Sequence, residues 1–157
     1  MKTYQKIFLF AILICGAISL IDIFSMNSGI FGNPENYTNG IFSVNGWWSL
    51  FFKFNLLMIA LLSLSYFWFG NHDFSESLSL FAGVTILWLV GGISDILFFF
   101  LRGKNIPLEL PWLSTSYIGR LSNLLGFQTV TRTSLYLCAI ISLAVVYYLT
   151  KVLKQRF

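Results

Sequence analysis

The sequence predicts an all-α membrane protein, built as a four-transmembrane-helix bundle with a short interfacial amphipathic helix between helices 3 and 4. Of its 157 residues, 57% are hydrophobic and only 10% are charged, and a soluble domain of this size would have to expose much of that apolar surface to water. The charges are clustered, which leaves four apolar segments. Each is long enough to cross about 30 Å of hydrocarbon, for which about 20 helical residues suffice. We place these segments at about 7–24, 47–69, 78–101 and 134–150, in one membrane domain that comprises residues 1–157.

The first apolar segment follows Lys2 and Lys6 and resembles a signal peptide in its basic flank. The apolar stretch is long, however, and no A-x-A-like cleavage site follows it. Ile14, before Cys15, is also not the small residue expected before a lipoprotein cysteine. We therefore expect a retained first helix.

The connection between the second and third segments contains the single histidine of the chain, His72. Together with Asp73 and Glu76 it suggests a metal site. The alternative is better supported, because Asp73 followed three residues later by Glu76, just before an apolar run, is typical of a capping box at a helix start. We expect the third helix to begin here, with no metal bound.

The connection from Arg102 to Thr133 is longer than a simple link requires. Pro107 and Pro111 exclude a continuous helix through its first half. Apolar residues then recur at helical spacing after the sequence "STS", which supplies an N-cap. We predict a short amphipathic helix over about 116–127, lying in the outer membrane interface as an anchor or as a lid over the bundle.

Four crossings place both termini on one side of the membrane. Five Lys or Arg residues fall on each side, so the distribution of basic residues alone does not decide the orientation. Two weaker signals favour cytoplasmic termini. Lys53 lies within a span and should count little toward the basic residues of the opposite side. The glycosylation-type triplet at Asn36 lies in the loop of residues 25–46, which would then face the outside. We expect a multi-pass protein of the plasma membrane with cytoplasmic termini.

Each span also carries a stripe of small or polar residues at steps of three or four. Such stripes mark the faces that pack inside a helix bundle in lipid. The two cysteines belong to them and lie far apart in sequence, so we expect packing residues and neither a redox pair nor a zinc site. The stripes comprise Ala11, Cys15, Ser19 and Asp22; Asn55, Ile59, Ser63 and Tyr66; Trp88, Gly91, Gly92 and Asp95; and Ser134, Cys138 and Ser142.

Asp95 and Lys53 place opposite charges within predicted spans. A charge at a helix centre costs roughly 2.5 to 3.5 kcal/mol on insertion scales. Counted inward from Arg102 and Trp48 at 1.5 Å per residue, both lie roughly 8 to 10 Å inside the outer surface. An ion pair between Lys53 and Asp95, with Asp22 nearby, is the simplest expectation.

A functional interpretation remains beside the ion pair, because intramembrane ionisable groups also mark proton relays and ligand pockets. Asp22 and Asp95 are then the candidate catalytic acids, which would handle protons on a lipid or another hydrophobic small molecule. The candidate binding residues are Lys53, Arg102, Glu109 and Trp88. Whether the protein is an enzyme stays open.

The alternative is a non-catalytic accessory or assembly subunit of a larger membrane complex, with membrane-protein partner subunits. Seventeen phenylalanines are available for outer helix faces, and no P-loop, GxGxxG, GxSxG or HExxH motif occurs, so no cofactor is expected. A small transporter is less favoured, since no paired Gly/Pro-broken helices indicate inverted repeats. We attribute the net charge of +4 to topology and contact with membrane lipids, and expect no nucleic-acid partner.

Overall fold

The computed structural model describes the backbone of residues 2–28, 44–70 and 72–156, and the side chains within residues 2–24, 51–70 and 72–153. The described residues form six α-helices and no strand beyond one isolated bridge. The all-helical prediction is confirmed for this part of the chain. The helices are α1 (Thr3–Ser28), α2 (Val44–Gly70), α3 (Phe74–Leu89), α4 (Ile93–Leu101), α5 (Tyr117–Leu124) and α6 (Arg132–Arg156).

Three described helices are long and apolar enough to cross a membrane, through Thr3–Phe24, Phe51–Gly70 and Arg132–Leu153. The short helices α3 and α4 qualify together, but they meet at an angle of 66°. The described part of the chain therefore has three candidate spans, or four if the bent pair is one span.

The predicted third span over residues 78–101 is not a single unbroken helix, because the helix breaks at Gly91 and Gly92. Gly92 has φ 62°, a left-handed conformation that residues with a Cβ rarely adopt. A Cβ on Gly91 would lie 2.8 Å from Ser142 Cβ, and one on Gly92 would lie 2.5 Å from Leu135 Cδ1. The glycine pair thus permits both the break and the close approach of α6.

The order of contacts along α1 shows that α3 runs in the same direction as α1. Gly83 of α3 lies beside Ala11, where an added Cβ would be 3.7 Å from Ala11 Cβ. Further along both helices, Ser19 Oγ donates to the Ser94 carbonyl of α4 at 2.9 Å. Contacts therefore advance along α1 up to the break, whereas within α4 Leu97 lies against Gly16, where an added Cβ would be 3.9 Å from Leu97 Cδ1.

Helix α6 runs antiparallel to α1 and α3. Tyr147, near its end, makes edge-to-face ring contacts with Tyr4 and Phe8 near the start of α1, at centroid distances of 5.7 and 5.6 Å. The start of α1 and the end of α6 therefore lie at the same end of the helix packing.

The stripes of small and polar residues face the interior, as predicted. On α2, the Asn55 side-chain amide donates to the Phe51 carbonyl at 3.0 Å, and Ser63 accepts through its carbonyl from Ser77 of α3. Cys15 and Cys138 are buried free thiols. The buried stripe members are Ala11, Cys15, Ser19, Asn55, Ile59, Ser63, Trp88, Ser134, Cys138 and Ser142.

The start of α3 lies where the sequence predicts a helix start. Asp73 is the N-cap residue, and its carbonyl accepts from the Glu76 and Ser77 amides at 3.0 and 3.2 Å. The Asp73 side chain makes no N-cap hydrogen bond, and Glu76 Oε2 lies 3.0 Å from His72 Nδ1. Among the described residues, no group of three or more His, Cys, Asp or Glu is placed to hold a metal ion.

Residues 102–131, which we call the connecting segment, fold back onto the start of α6. The Leu110 amide donates to the Val130 carbonyl at 2.7 Å, and the Arg132 amide donates to the Leu108 carbonyl at 3.0 Å. A small apolar cluster, which includes Ile106, Leu110, Leu113, Ile118, Val130, Leu135 and Cys138, fills the space between the segment and α6. The connecting segment is thus a packed element.

Within the connecting segment, α5 occupies the predicted amphipathic stretch. Ser116 is its N-cap, and the hydroxyl oxygen accepts from the Gly119 amide at 3.3 Å. The helix ends at Leu124, three residues before the predicted end. Gly126, at φ 89°, turns the chain out of the helix there.

Candidate functional site

A pocket of about 260 Å³ lies between α1, α2, the break between α3 and α4, and the start of α5. Asp22 of α1 and Asp95 of α4 both line it. Aromatic and aliphatic side chains from α2, α3 and the connecting segment form most of the remaining wall. The pocket is therefore largely apolar, with two acidic groups.

The two carboxyl groups lie close enough to interact electrostatically. Asp22 Oδ1 is enclosed and has no hydrogen-bond partner among the described residues. A buried carboxylate oxygen without a donor is destabilising unless it shares a proton or accepts a hydrogen bond. The site therefore has capacity for a proton or for a donor group supplied by a ligand.

The helix break positions Asp95 at the pocket. Asp95 is the third residue of α4, in the first turn, where unpaired amides at a helix N-terminus favour a negative charge. The bond from Ser19 Oγ to the Ser94 carbonyl, 2.9 Å long, ties this turn to α1. Asp95 is thereby held on the side of α4 that faces Asp22.

Two stacked rings form an aromatic wall of the pocket. Phe52 and Trp88 have ring centroids 5.5 Å apart and an interplanar angle of 25°. Trp88 is 8% exposed, so its ring is fixed between α2 and the bundle interior. Phe52 is 37% exposed, so the pocket combines one enclosed ring and one surface ring with the two carboxyl groups.

The connecting segment supplies another wall through Leu113, Ser116, Tyr117 and Ile118. The Ser116 hydroxyl already has partners within the same segment, because Ser116 Oγ donates to the Leu113 carbonyl at 2.6 Å and accepts from the Gly119 amide. The Tyr117 ring is half exposed. This wall therefore adds apolar and aromatic surface rather than a second acidic or basic group.

Asp22, Asp95 and Trp88 are the three sequence-derived candidates that line this pocket. Lys53, Arg102 and Glu109 are exposed and do not line it. Arg102 lies over the Phe98 ring at 5.2 Å from the centroid, with its charge within electrostatic range of Asp22. Glu109 pairs through its backbone with Thr131 in the isolated bridge.

The expected ion pair between Lys53 and Asp95 does not form. Among the described side chains, the ion pair present is His72 with Glu76. Phe51 and Asn55 are buried on the inner face of α2, and Lys53 lies two residues from each of them, about 200° around the helix. The sequence indicates a depth for Lys53 that fits the pair, but the Lys53 side chain points outward from α2.

Sequence reasoning found Trp88 of the aromatic wall but missed Phe52, and it also missed Phe51, which lines the pocket. Phe51 continues the stripe of Asn55 and Ile59 by one helical turn, so extending the i, i+4 pattern would have identified it as interior. The stacking of Phe52 on Trp88 had no such signal, because it depends on how α2 and α3 pack together.

No family model, no curated protein and no solved structure matches this chain.

Proposed function

We propose that this protein is a four-span protein of the plasma membrane that binds the polar end of a membrane lipid or another hydrophobic small molecule. The observation that carries the proposal is the pocket in which Asp22 and Asp95 adjoin the aromatic wall. Pockets of this kind, apolar with a few polar groups, are typical ligand sites between helices.

Two features support four crossings. The bend of 66° between α3 and α4 is less than a right angle, so α4 still advances, whereas a re-entrant loop reverses direction. The start of α1 and the end of α6 lie together, as an even number of crossings requires. The two ends carry five basic residues, and the opposite side carries fewer once Lys53, which lies within a span, is left out, which favours cytoplasmic termini.

The same topology places the connecting segment at the outer interface. Tyr117 and Leu124 of α5 are exposed, as is Trp112 just before it. Aromatic residues favour the headgroup level, and a short helix with one apolar face lies flat there. In this arrangement α5 covers the outer end of the pocket.

The size of the pocket limits what it holds. A volume of about 260 Å³ is below the range of about 300–1,000 Å³ that encloses a drug-sized ligand. The pocket therefore accommodates a head group and the first part of a chain, while the rest of the chain lies among the exposed apolar side chains of the bundle. Proton transfer would additionally require a reacting atom within hydrogen-bond reach of a carboxyl group.

Native mass spectrometry of the purified protein tests this proposal. We expect a lipid-sized molecule to stay bound to the wild type and to be lost or depleted in Asp95→Asn and Asp22→Asn. Lys53→Gln is the matched control, because Lys53 is exposed and outside the pocket. Equal retention in all variants would refute binding at the two acids. A wild type that carries a stoichiometric protein subunit and no lipid would favour the accessory-subunit alternative.

A further inference from the structure

The charged side chains that line the pocket, among those described, are all negative. Among the described side chains that line it, Asp22 and Asp95 are the ionisable acids, and no Lys, Arg or His lines it. Lys53 is exposed, and Arg102, which is exposed against Phe98, is within electrostatic range of Asp22 but outside the pocket lining. Residues 25–50, between the described side chains of α1 and α2, contain no Lys or Arg in the sequence. An anionic head group would therefore meet like charge.

Asp22 also provides a specific acceptor for a donor group. Its Oδ1 is enclosed and has no hydrogen-bond partner among the described residues, while Asp95 is close enough to interact with it electrostatically. A cation beside the two carboxyl groups would compensate their negative charge. A neutral head group would leave most of that charge uncompensated.

The aromatic wall points to the same type of ligand. The faces of Trp, Phe and Tyr rings attract ammonium groups, and the attraction strengthens away from water. Phe52 and Trp88 are stacked in the wall, and the half-exposed Tyr117 ring borders the pocket from α5. Carboxyl groups beside aromatic faces are the combination that binds organic ammonium ions.

From this geometry we infer that the pocket selects an amphiphile whose head group is an organic ammonium, over amphiphiles with neutral or anionic heads. The inference rests on the proposed function, since it names the ligand class of the same pocket. The aliphatic walls from Ile18 and Leu89 favour an ammonium attached to an apolar chain, as in a membrane lipid, over a free soluble cation.

Three probes with the same chain test the inference on the full protein in nanodiscs of neutral lipid. They are dodecylammonium, dodecanol and dodecyl phosphate, each measured by equilibrium binding. We expect the ammonium probe to bind at least about tenfold more tightly than the other two, which corresponds to about 1.4 kcal/mol. Methylammonium, which lacks the chain, should compete only weakly.

Variants locate the effect at the pocket. Asp95→Asn and Asp22→Asn should each weaken binding of the ammonium probe about tenfold and leave dodecanol binding nearly unchanged, whereas Lys53→Gln should alter neither. If an acid variant fails to fold, the three-probe series on the wild type still decides the selectivity.

Three results would overturn the inference. Equal or tighter binding of dodecanol or dodecyl phosphate would remove the preference for a cation and leave the proposed function standing. Tight competition by methylammonium would exclude the lipid source. Absence of binding by all three probes would contradict the proposed function as well.

Discussion

At the scale of single residues, Asp22 and Asp95 are like charges that interact inside an apolar pocket. Such an arrangement lowers stability, because repulsion and loss of hydration both disfavour two ionised groups. Residues at ligand sites often retain groups that destabilise the folded state until a ligand binds. The stability of variants therefore reports on whether Asp95 has a partner.

Replacing Asp95 with asparagine removes one charge and nearly preserves the shape of the side chain. We expect Asp95→Asn to increase the free energy of unfolding by about 1 kcal/mol, because the repulsion with Asp22 disappears. For a chain of this size the melting temperature in detergent should rise by about 2–4 °C. A loss of about 3 kcal/mol or more would show instead that Asp95 is paired with a cation.

Lys53 gives a second residue-scale prediction. Because its side chain is exposed and outside the pocket, Lys53→Gln should change the free energy of unfolding by less than about 0.5 kcal/mol. Combined with Asp95→Asn, the effects should add within about 0.5 kcal/mol in a double-mutant cycle. A coupling energy above about 1 kcal/mol would show that Lys53 and Asp95 do form an ion pair.

At the scale of elements, the break between α3 and α4 depends on two glycines that meet α6. Gly92 combines a left-handed backbone with a neighbouring Leu135 methyl group, and Gly91 packs against Ser142. Gly103 shares the backbone conformation, at φ 61°, but a Cβ added there would have nothing within 4 Å. Comparing substitutions at Gly92 and Gly103 therefore separates the cost of backbone strain from the cost of steric contact.

We expect Gly103→Ala to lower the free energy of unfolding by about 1–2 kcal/mol, the cost of a left-handed residue that carries a Cβ. Gly92→Ala should lower it by more, because the new methyl group also collides with Leu135. Thermal unfolding of both variants in the same detergent measures the difference. Equal losses of unfolding free energy would mean that α6 shifts away from the new methyl group without a loss of stability.

Sequence patterns predicted the helices and their inner faces because both follow from helical periodicity and the size of side chains. The buried series Ala11, Cys15 and Ser19 is an example. The break after Leu89 was missed because mean hydropathy stays high through Gly91 and Gly92, while the backbone conformation of Gly92 depends on the approach of α6. Pairing Lys53 with Asp95 failed because depth was considered without direction around the helix.

The candidate site divides in the same way. Asp22, Asp95 and Trp88 were found from the sequence because charge in an apolar run and large residues on a small-residue stripe are visible in one helix at a time. Phe52 and Tyr117 were missed, since their places in the pocket depend on how α2 and α5 pack against other helices. Local signals thus identified the acids and Trp88, and tertiary packing supplied Phe52 and Tyr117.

At the scale of the whole molecule, four crossings predict that both ends face the same compartment. Single cysteines in place of Lys2, Leu124 and Lys151 test this with a membrane-impermeant thiol reagent, because the native thiols are buried. Lys2→Cys and Lys151→Cys should be labelled from the cytoplasm, and Leu124→Cys from outside. Labelling of Lys2→Cys and Lys151→Cys from opposite sides would require an odd number of crossings.

In the four-span arrangement that we propose, the bend between α3 and α4 also matches the protein to a bilayer of ordinary thickness. A straight helix from Phe74 to Leu101 would be about 42 Å long at 1.5 Å per residue, well beyond about 30 Å of hydrocarbon. With α3 upright, the bend of 66° reduces the advance of α4 to about 5 Å, and the pair spans about 30 Å. Straightening the break would therefore create a hydrophobic mismatch, which a helix relieves by tilting or by locally thickening the membrane.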